Sequence, residues 1–222
     1  MPSTFSPLKI ELIATGEQSG TWGATTNVNL GTAIEEAITG SADVTFVNGS
    51  DTTITLTDVN TTQAARNLRL NLVGSANAPQ NLILGSGCQI EKFYLINNTL
   101  TQTITVKNTT GTGIAVPASR SALVYNNGTN VVDALTFLTS LAVSGAATVG
   151  GALTVTGAFA ANGGTTIGDA SGDSFTINSN AVSIPNNLNF DSNTLFIDST
   201  NNRVAIGANS AAVTFAITGI DA

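Results

Sequence analysis

A mainly β fold is predicted for this 222-residue chain: an N-terminal strand with one helix, a small antiparallel β-sandwich, and a trimeric shaft of β repeats. Three observations predict it. Charged residues make up only 9 % of the chain, against about 25 % in a typical soluble domain. Thr, Ser, Asn and Gly must therefore cover the surface, where long helices would use Glu, Lys and Arg. Short runs alternate apolar and polar residues with the period of a half-buried strand. The last third carries a short repeat.

In residues 1–40, Leu8-Lys9-Ile10-Glu11-Leu12 alternates apolar and charged side chains, as a strand does. The turn-rich stretch from Gly16 to Gly23 holds the one tryptophan, Trp22. Leu30, Ile34 and Ile38 then recur at i, i+4 and i+8, with Ala33 and Ala37 beside them. That spacing predicts one face of an amphipathic helix. Asn27 or Asn29 would cap its start and Gly40 would end it.

In residues 41–138, Ile54 and Leu56 alternate with threonines. Leu68, Leu70 and Leu72 alternate with Asn67, Arg69 and Asn71, and Ile104 and Val106 with Thr103, Thr105 and Lys107. One wet face per strand is the pattern of an antiparallel sheet. Gln89 to Ile96 is apolar on both sides and predicts a central strand. Asn48-Gly49, Asn97-Asn98, Gly111-Thr112-Gly113 and Asn127-Gly128 mark turns.

In residues 139–222, Leu141-Ala142-Val143-Ser144-Gly145 returns as Leu153-Thr154-Val155-Thr156-Gly157 and again as Phe215-Ala216-Ile217-Thr218-Gly219. The runs 194–198 and 203–206 flank Ser199-Thr200-Asn201-Asn202 and read as a hairpin. Each repeat offers too few apolar residues to close a core alone, so repeats or chains must stack. A trimer would turn Leu141, Val143, Leu153, Val155, Phe196, Val204, Ile206, Phe215 and Ile217 inward. A single-chain solenoid is the other arrangement that such repeats permit.

Composition also narrows function. A net charge of −7 and seven scattered basic residues give no footprint for phosphates or an anionic membrane. The first nine residues lack the apolar run of a signal peptide. The charge-free stretch 134–168 is broken by Gly, Ser and Thr, unlike a membrane span. The lone Cys88 has no disulfide partner within the chain and reads as a buried apolar residue. The chain has no histidine, which removes the commonest general base and metal ligand. Glu35 and Glu36, about 100° apart on a helix, do not converge. Asp169 and Asp173 flank a plain Gly turn, and Gly85-Ser86-Gly87 lacks the following Gly-Lys of a phosphate loop. Neither enzymatic activity, nor a cofactor, nor a metal is expected.

Three segments resemble the fibre proteins of tailed bacteriophages. The first is Leu8 to Gly16 with Gly20-Thr21-Trp22-Gly23 and Asn27-x-Asn29-Leu30-Gly31. The second runs from Leu68-x-Leu70-x-Leu72-x-Gly74 through Leu95-Ile96-Asn97-Asn98, Ile104-Thr105-Val106-Lys107 and Gly111 to Pro117, closing on Asn126 to Val132. It is similar to a small β-domain of tail-fibre-like proteins. The third, from Phe196-Ile197-Asp198 through Arg203 to Gly207 and Ile217-Thr218-Gly219, resembles a shaft repeat. The resemblance implies an elongated homotrimer on the exterior of the virion. Residues 1–40 would dock on a phage tail or capsid protein through Leu8, Ile10, Leu12, Trp22, Leu30, Ile34 and Ile38. The shaft would point outward for host attachment. Such fibres end in a receptor-binding head or a chaperone domain, so a tip is expected on another protein or on a continuation of this sequence. The alternatives are a capsid decoration or head-fibre protein and, further off, a bacterial trimeric adhesin. A polysaccharide-degrading tailspike would need a longer β-helix with convergent carboxylates.

Overall fold

The computed structural model describes residues 2–168, 173–177, 188–190, 195–198, 200 and 203–206. It is mainly β, and it divides into two units, Met1–Ala147 and Thr148–Ala222.

The first unit opens with a small antiparallel ribbon, β1 (Thr4–Phe5) and β2 (Glu11–Leu12). The helical segment follows without a break as α1 (Trp22–Val28), a π-helical turn (Asn29–Ile34) and α2 (Glu35–Ile38). The helix thus starts before both asparagines expected to cap it. Thr21 precedes it without a capping side-chain bond, and Asn29 lies inside, its amide used elsewhere. Gly40 ends it as expected. Its N–H donates to the Glu35 and Glu36 carbonyls, each at 3.1 Å. A Cβ there would lie 2.4 Å from Asn67 Oδ1 and 2.5 Å from Glu36 Cα, so only glycine fits.

The chain then winds into a two-sheet coil. β3 (Ser41–Phe46), β5 (Arg69–Gly74) and β7 (Glu91–Asn98) lie in one sheet. β4 (Thr52–Ile54), β6 (Gln80–Leu84) and β8 (Ile104–Asn108) lie in the other. Both sets are parallel, with Ser41 opposite Arg69 and Arg69 opposite Leu95. The coil is closed by β9 (Gly113–Val116), antiparallel to β8, and by β10 (Arg120–Asn127), antiparallel to β7. β11 (Val131–Asp133) pairs with β10. The sheet orders are β3-β5-β7-β10-β11 and β4-β6-β8-β9.

The expected antiparallel sandwich is therefore corrected: pairing through the body of the domain is parallel. Alternation of apolar and polar residues reports one wet face and carries no strand direction. Direction is set by the connections. Between two neighbours in one sheet the chain crosses to the other sheet and returns, so each new strand starts from the same end.

Leu70, Leu72, Tyr94, Ile96 and Val124 of the first sheet meet Leu82, Leu84, Ile104, Val106 and Val116 of the second in one apolar cluster. The alternating leucines of β5 and the central place of β7 agree with the sequence. Burying each such side chain contributes about 1.5–3 kcal/mol. Polar staples cross the core. Asn108 and Asn126 exchange amide hydrogen bonds at 2.9 Å in both directions. Asn98 Nδ2 donates to the Gln102, Val116 and Pro117 carbonyls.

In the second unit, β12 (Leu188–Phe190), β13 (Leu195–Asp198) and β14 (Arg203–Ile206) form an antiparallel meander. The hairpin expected from 194–206 is β13 and β14. The repeats at 141–145 and 153–157 adopt neither helix nor strand. The third copy, with Phe215 and Ile217, lies outside the described residues.

Lys92, on β7, is buried, and among the described residues no carboxylate pairs with it. Its Nζ donates to the Asn67 and Phe93 carbonyls at 3.2 Å and sits 4.2 Å from the centroid of the Tyr94 ring. Burial lowers its pKa from 10.5 to about 8, with the nearby Cys88 pulling the other way. Burial raises the Cys88 thiol from 9.0 to about 11 and raises Tyr94 too. From pH 8 to 9 the unfolded chain keeps a lysine proton that the folded chain has released, so stability rises with pH. The slope is at most about 1.4 kcal/mol per pH unit. Above pH 9 the unfolded chain loses the cysteine proton that the folded chain keeps, which cancels the gain. Above pH 10 tyrosine turns the balance to loss. Urea midpoints read by circular dichroism should climb from pH 8 to 9, level off, then fall, and Lys92→Met should abolish the climb.

Candidate docking surface

Helices on β domains ordinarily bury their apolar stripe. Here the helical segment is inside out. Its buried residues are Asn29, Ala33 and Glu36. Leu30 is 56 % and Ile38 62 % exposed. Trp22, the first residue of α1, is 61 % exposed. Ile34 is half-buried.

Polar anchors cause the inversion. Arg66 sits in a 3₁₀ turn (Ala64–Arg66) and is fully buried. Its Nη1 donates to Glu36 Oε2 at 3.0 Å. The same guanidinium donates to five main-chain carbonyls: Leu8 (2.9 Å), Lys9 (3.4 Å), Val59 (2.8 Å), Asn60 (3.3 Å) and Thr61 (3.0 Å). Glu36 also accepts from the Gln63 N–H. Burial lowers the Arg66 pKa and Glu36 opposes that shift; a guanidinium stays charged regardless. One side chain thus joins the N-terminal segment, the helix and the 59–63 loop.

Asn29 provides a second anchor. Its Oδ1 accepts from the Glu11 N–H at 3.0 Å and its Nδ2 donates to the Glu11 carbonyl at 2.8 Å. The amide stands in for a neighbouring strand. The small Ala33 lets the helix approach closely, and the larger apolar residues are left on the opposite side.

The seven residues expected to dock divide in two. Trp22, Leu30 and Ile38, with Leu12 of β2 at 51 %, are exposed. Leu8, Ile10 and Ile34 are half-buried, with Leu8 tied by its carbonyl to Arg66. Glu35 and Glu36 do diverge, the first exposed and the second buried. A groove of about 630 Å³ opens beside α2, lined by Thr32, Glu35, Thr39, Ser41, Ala42 and Thr62 among others.

Further along, Leu141 (74 %), Val143 (51 %), Leu153 (66 %), Val155 (47 %) and Ile206 (71 %) are exposed. Phe196 lies on β13 and Val204 on β14. Asp173 lies against Gly168, whose φ is 79°, while Asp169 falls outside the described residues. Among the described residues no group of three His, Cys, Asp or Glu gathers to hold a metal, and no helix is long and apolar enough to cross a membrane.

Arg66 carries no signal in the sequence that separates it from a surface arginine, and Asn29 reads as a cap. A second outward apolar group, Phe93, Leu95, Leu123 and Tyr125, was signalled only by the two-sided apolar run of 89–96. No family model, curated protein or solved structure matches the chain.

Arg66→Met leaves Glu36 buried and uncompensated, and should cost about 3–5 kcal/mol in urea unfolding. Adding Glu36→Gln should restore part of that loss. Trp22→Ala and Ile38→Ser should each change stability by less than about 0.5 kcal/mol. A large loss from either would place these side chains in the monomer core.

Proposed function

We propose that this chain is a structural virion protein of a tailed bacteriophage: a homotrimeric tail fibre. It docks on the particle through its N-terminal part and extends outward for host attachment. The observation that carries this reading is the inside-out helix. A fold that buries Asn29, Glu36 and Arg66 while leaving Trp22, Leu30 and Ile38 in water has built a rigid mount for an apolar face. Exposed apolar clusters of this kind mark interaction sites, and Trp is a frequent interface anchor.

The repeats support the assembly part of the reading. Leu141, Val143, Leu153, Val155, Phe159 and Ile167 are all exposed in one chain. Side chains of this class favour burial by about 1.5–3 kcal/mol each, so neighbouring copies are their natural cover. The mechanism is mechanical: the helix face anchors, the coil forms a shoulder, and the bundled repeats hold a tip away from the particle.

Light scattering after size exclusion tests it. The expected result is about three times the chain mass of 22.4 kDa, with a hydrodynamic radius well above that of a compact particle. A compact trimer would favour a capsid decoration protein. A chain that stays at 22.4 kDa would overturn the trimeric fibre.

A further inference from the structure

The five-stranded sheet ends on β3, which pairs with β5 and, among the described residues, with no strand on its other side. The carbonyls of Gly40 and Phe46 accept from the Arg69 and Ser75 N–H groups, so the even-numbered residues of β3 turn their main chain toward β5. Main-chain groups of alternate residues face opposite edges of a strand. Ser41, Asp43 and Thr45 therefore turn theirs to the open edge. The Thr45 carbonyl accepts from Thr52 Oγ1 at 3.4 Å. The N–H groups of all three, and the carbonyls of Ser41 and Asp43, meet no partner strand among the described residues.

This edge is unguarded. Sheet edges are ordinarily kept short, or carry lysine, proline or a bulge, because an open ladder pairs with other extended chains. The other terminal strands of the coil are short: β4 and β11 have three residues each and β9 four. β3 has six, with neither lysine nor proline among them. The core is open on this side as well. Ala42 of β3 and Ile54 of β4, the terminal strands at this end of the coil, pack on the apolar cluster yet stay half-buried.

Charge selects among extended chains. Between Lys9 and Arg66 the sequence has no lysine or arginine. Those two are themselves paired, with Asp58 at 2.8 Å and with Glu36 at 3.0 Å. Glu35 lines the groove that reaches Ser41 and Ala42, Asp43 lies on β3 itself, and Asp51 follows the turn after it. All three are exposed. Asp43 and Asp51 accept from amides, of Asn71 and of Asn81. Among the described residues no cation pairs with any of the three.

We infer that the open edge of β3 is a docking site for an extended, basic segment of a partner protein. The main chain of that segment continues the ladder at Ser41, Asp43 and Thr45. Alternate apolar side chains cover Ala42 and Ile54. Lysine or arginine on the other face meets Asp43, with Glu35 and Asp51 at the two ends. In strand addition of this kind main-chain pairing supplies affinity and the alternate side chains supply specificity. Neither the exposed stripe of the helix nor assembly into a trimer is needed for this site.

Hydrogen exchange read at single amides tests this on the full chain. The probe is a peptide alternating valine and lysine, of about eight residues, long enough to span β3 at about 3.3 Å per residue. One control carries glutamate for lysine; the other is the lysine peptide with every main-chain nitrogen methylated. Without peptide, the Asp43 and Thr45 amides should exchange faster than those of Val44 and Phe46. The lysine peptide should slow Asp43 and Thr45, and neither control should. Thr45→Pro removes an outward N–H that an edge strand can spare; it should abolish the protection and leave the circular dichroism spectrum unchanged. Asp43→Asn should weaken binding of the lysine peptide about twofold to fivefold, the worth of one exposed ion pair. Equal protection by the glutamate peptide overturns the basic partner. Protection by the methylated peptide, or by none of the three, overturns strand docking at this edge. Slow exchange of Asp43 and Thr45 in the chain alone also overturns it, since the edge is then already covered. The trimeric fibre stands or falls separately, by the light-scattering mass.

Discussion

The architecture of the N-terminal part depends on one buried cation. Arg66 offers five N–H groups in a fixed plane, and segments far apart in sequence supply their acceptors: Leu8 and Lys9, Glu36, and the loop from Val59 to Thr61. None of these segments has much apolar surface turned inward. A hydrophobic contact could not hold them, because the helix faces inward with Asn29 and Glu36. A charged, multidentate hub does so with defined angles. That choice frees the apolar stripe of the helix for another use.

The coil solves a different problem. A chain poor in charge cannot protect sheet edges with lysine or glutamate, the usual device. Winding between two sheets places β5, β7, β6 and β8 inside their sheets, so most strands have both edges satisfied. Antiparallel β9 and β10 then close one end. Where the polar chain must enter the core, it does so as reciprocal amides, Asn108 with Asn126. These carry no net charge to desolvate and leave no partner missing.

Strand positions were legible in the sequence because period two is a local property: the alternation at 68–72 and 104–107 places Leu70, Leu72, Ile104 and Val106 inward. The two-sided apolar run of 89–96 pointed to the central strand β7, although one of its faces is turned to water and leaves Phe93 51 % exposed. Direction was not, because it is decided by connections that cross between sheets. The orientation of the helix was not legible, because a 3.6-residue stripe says which residues share a side, not which side meets the core. Asn29, Glu36 and Arg66 decided that, and their pairing spans separations that no local pattern encodes. The docking candidates were nonetheless legible as a group, since the same stripe marks Leu30, Ile34 and Ile38 whichever way it faces.

The parallel coil has an evolutionary consequence. Each rung, one strand in each sheet, meets its neighbours in the same register from above and below. A rung resembling β5 with β6 can therefore be duplicated or deleted as a unit, with the arginine-bound helix at one end and the antiparallel closure at the other left as they are. Length becomes a variable that recombination can adjust in whole steps, so a coil of this design can be resized without redesigning either of its ends.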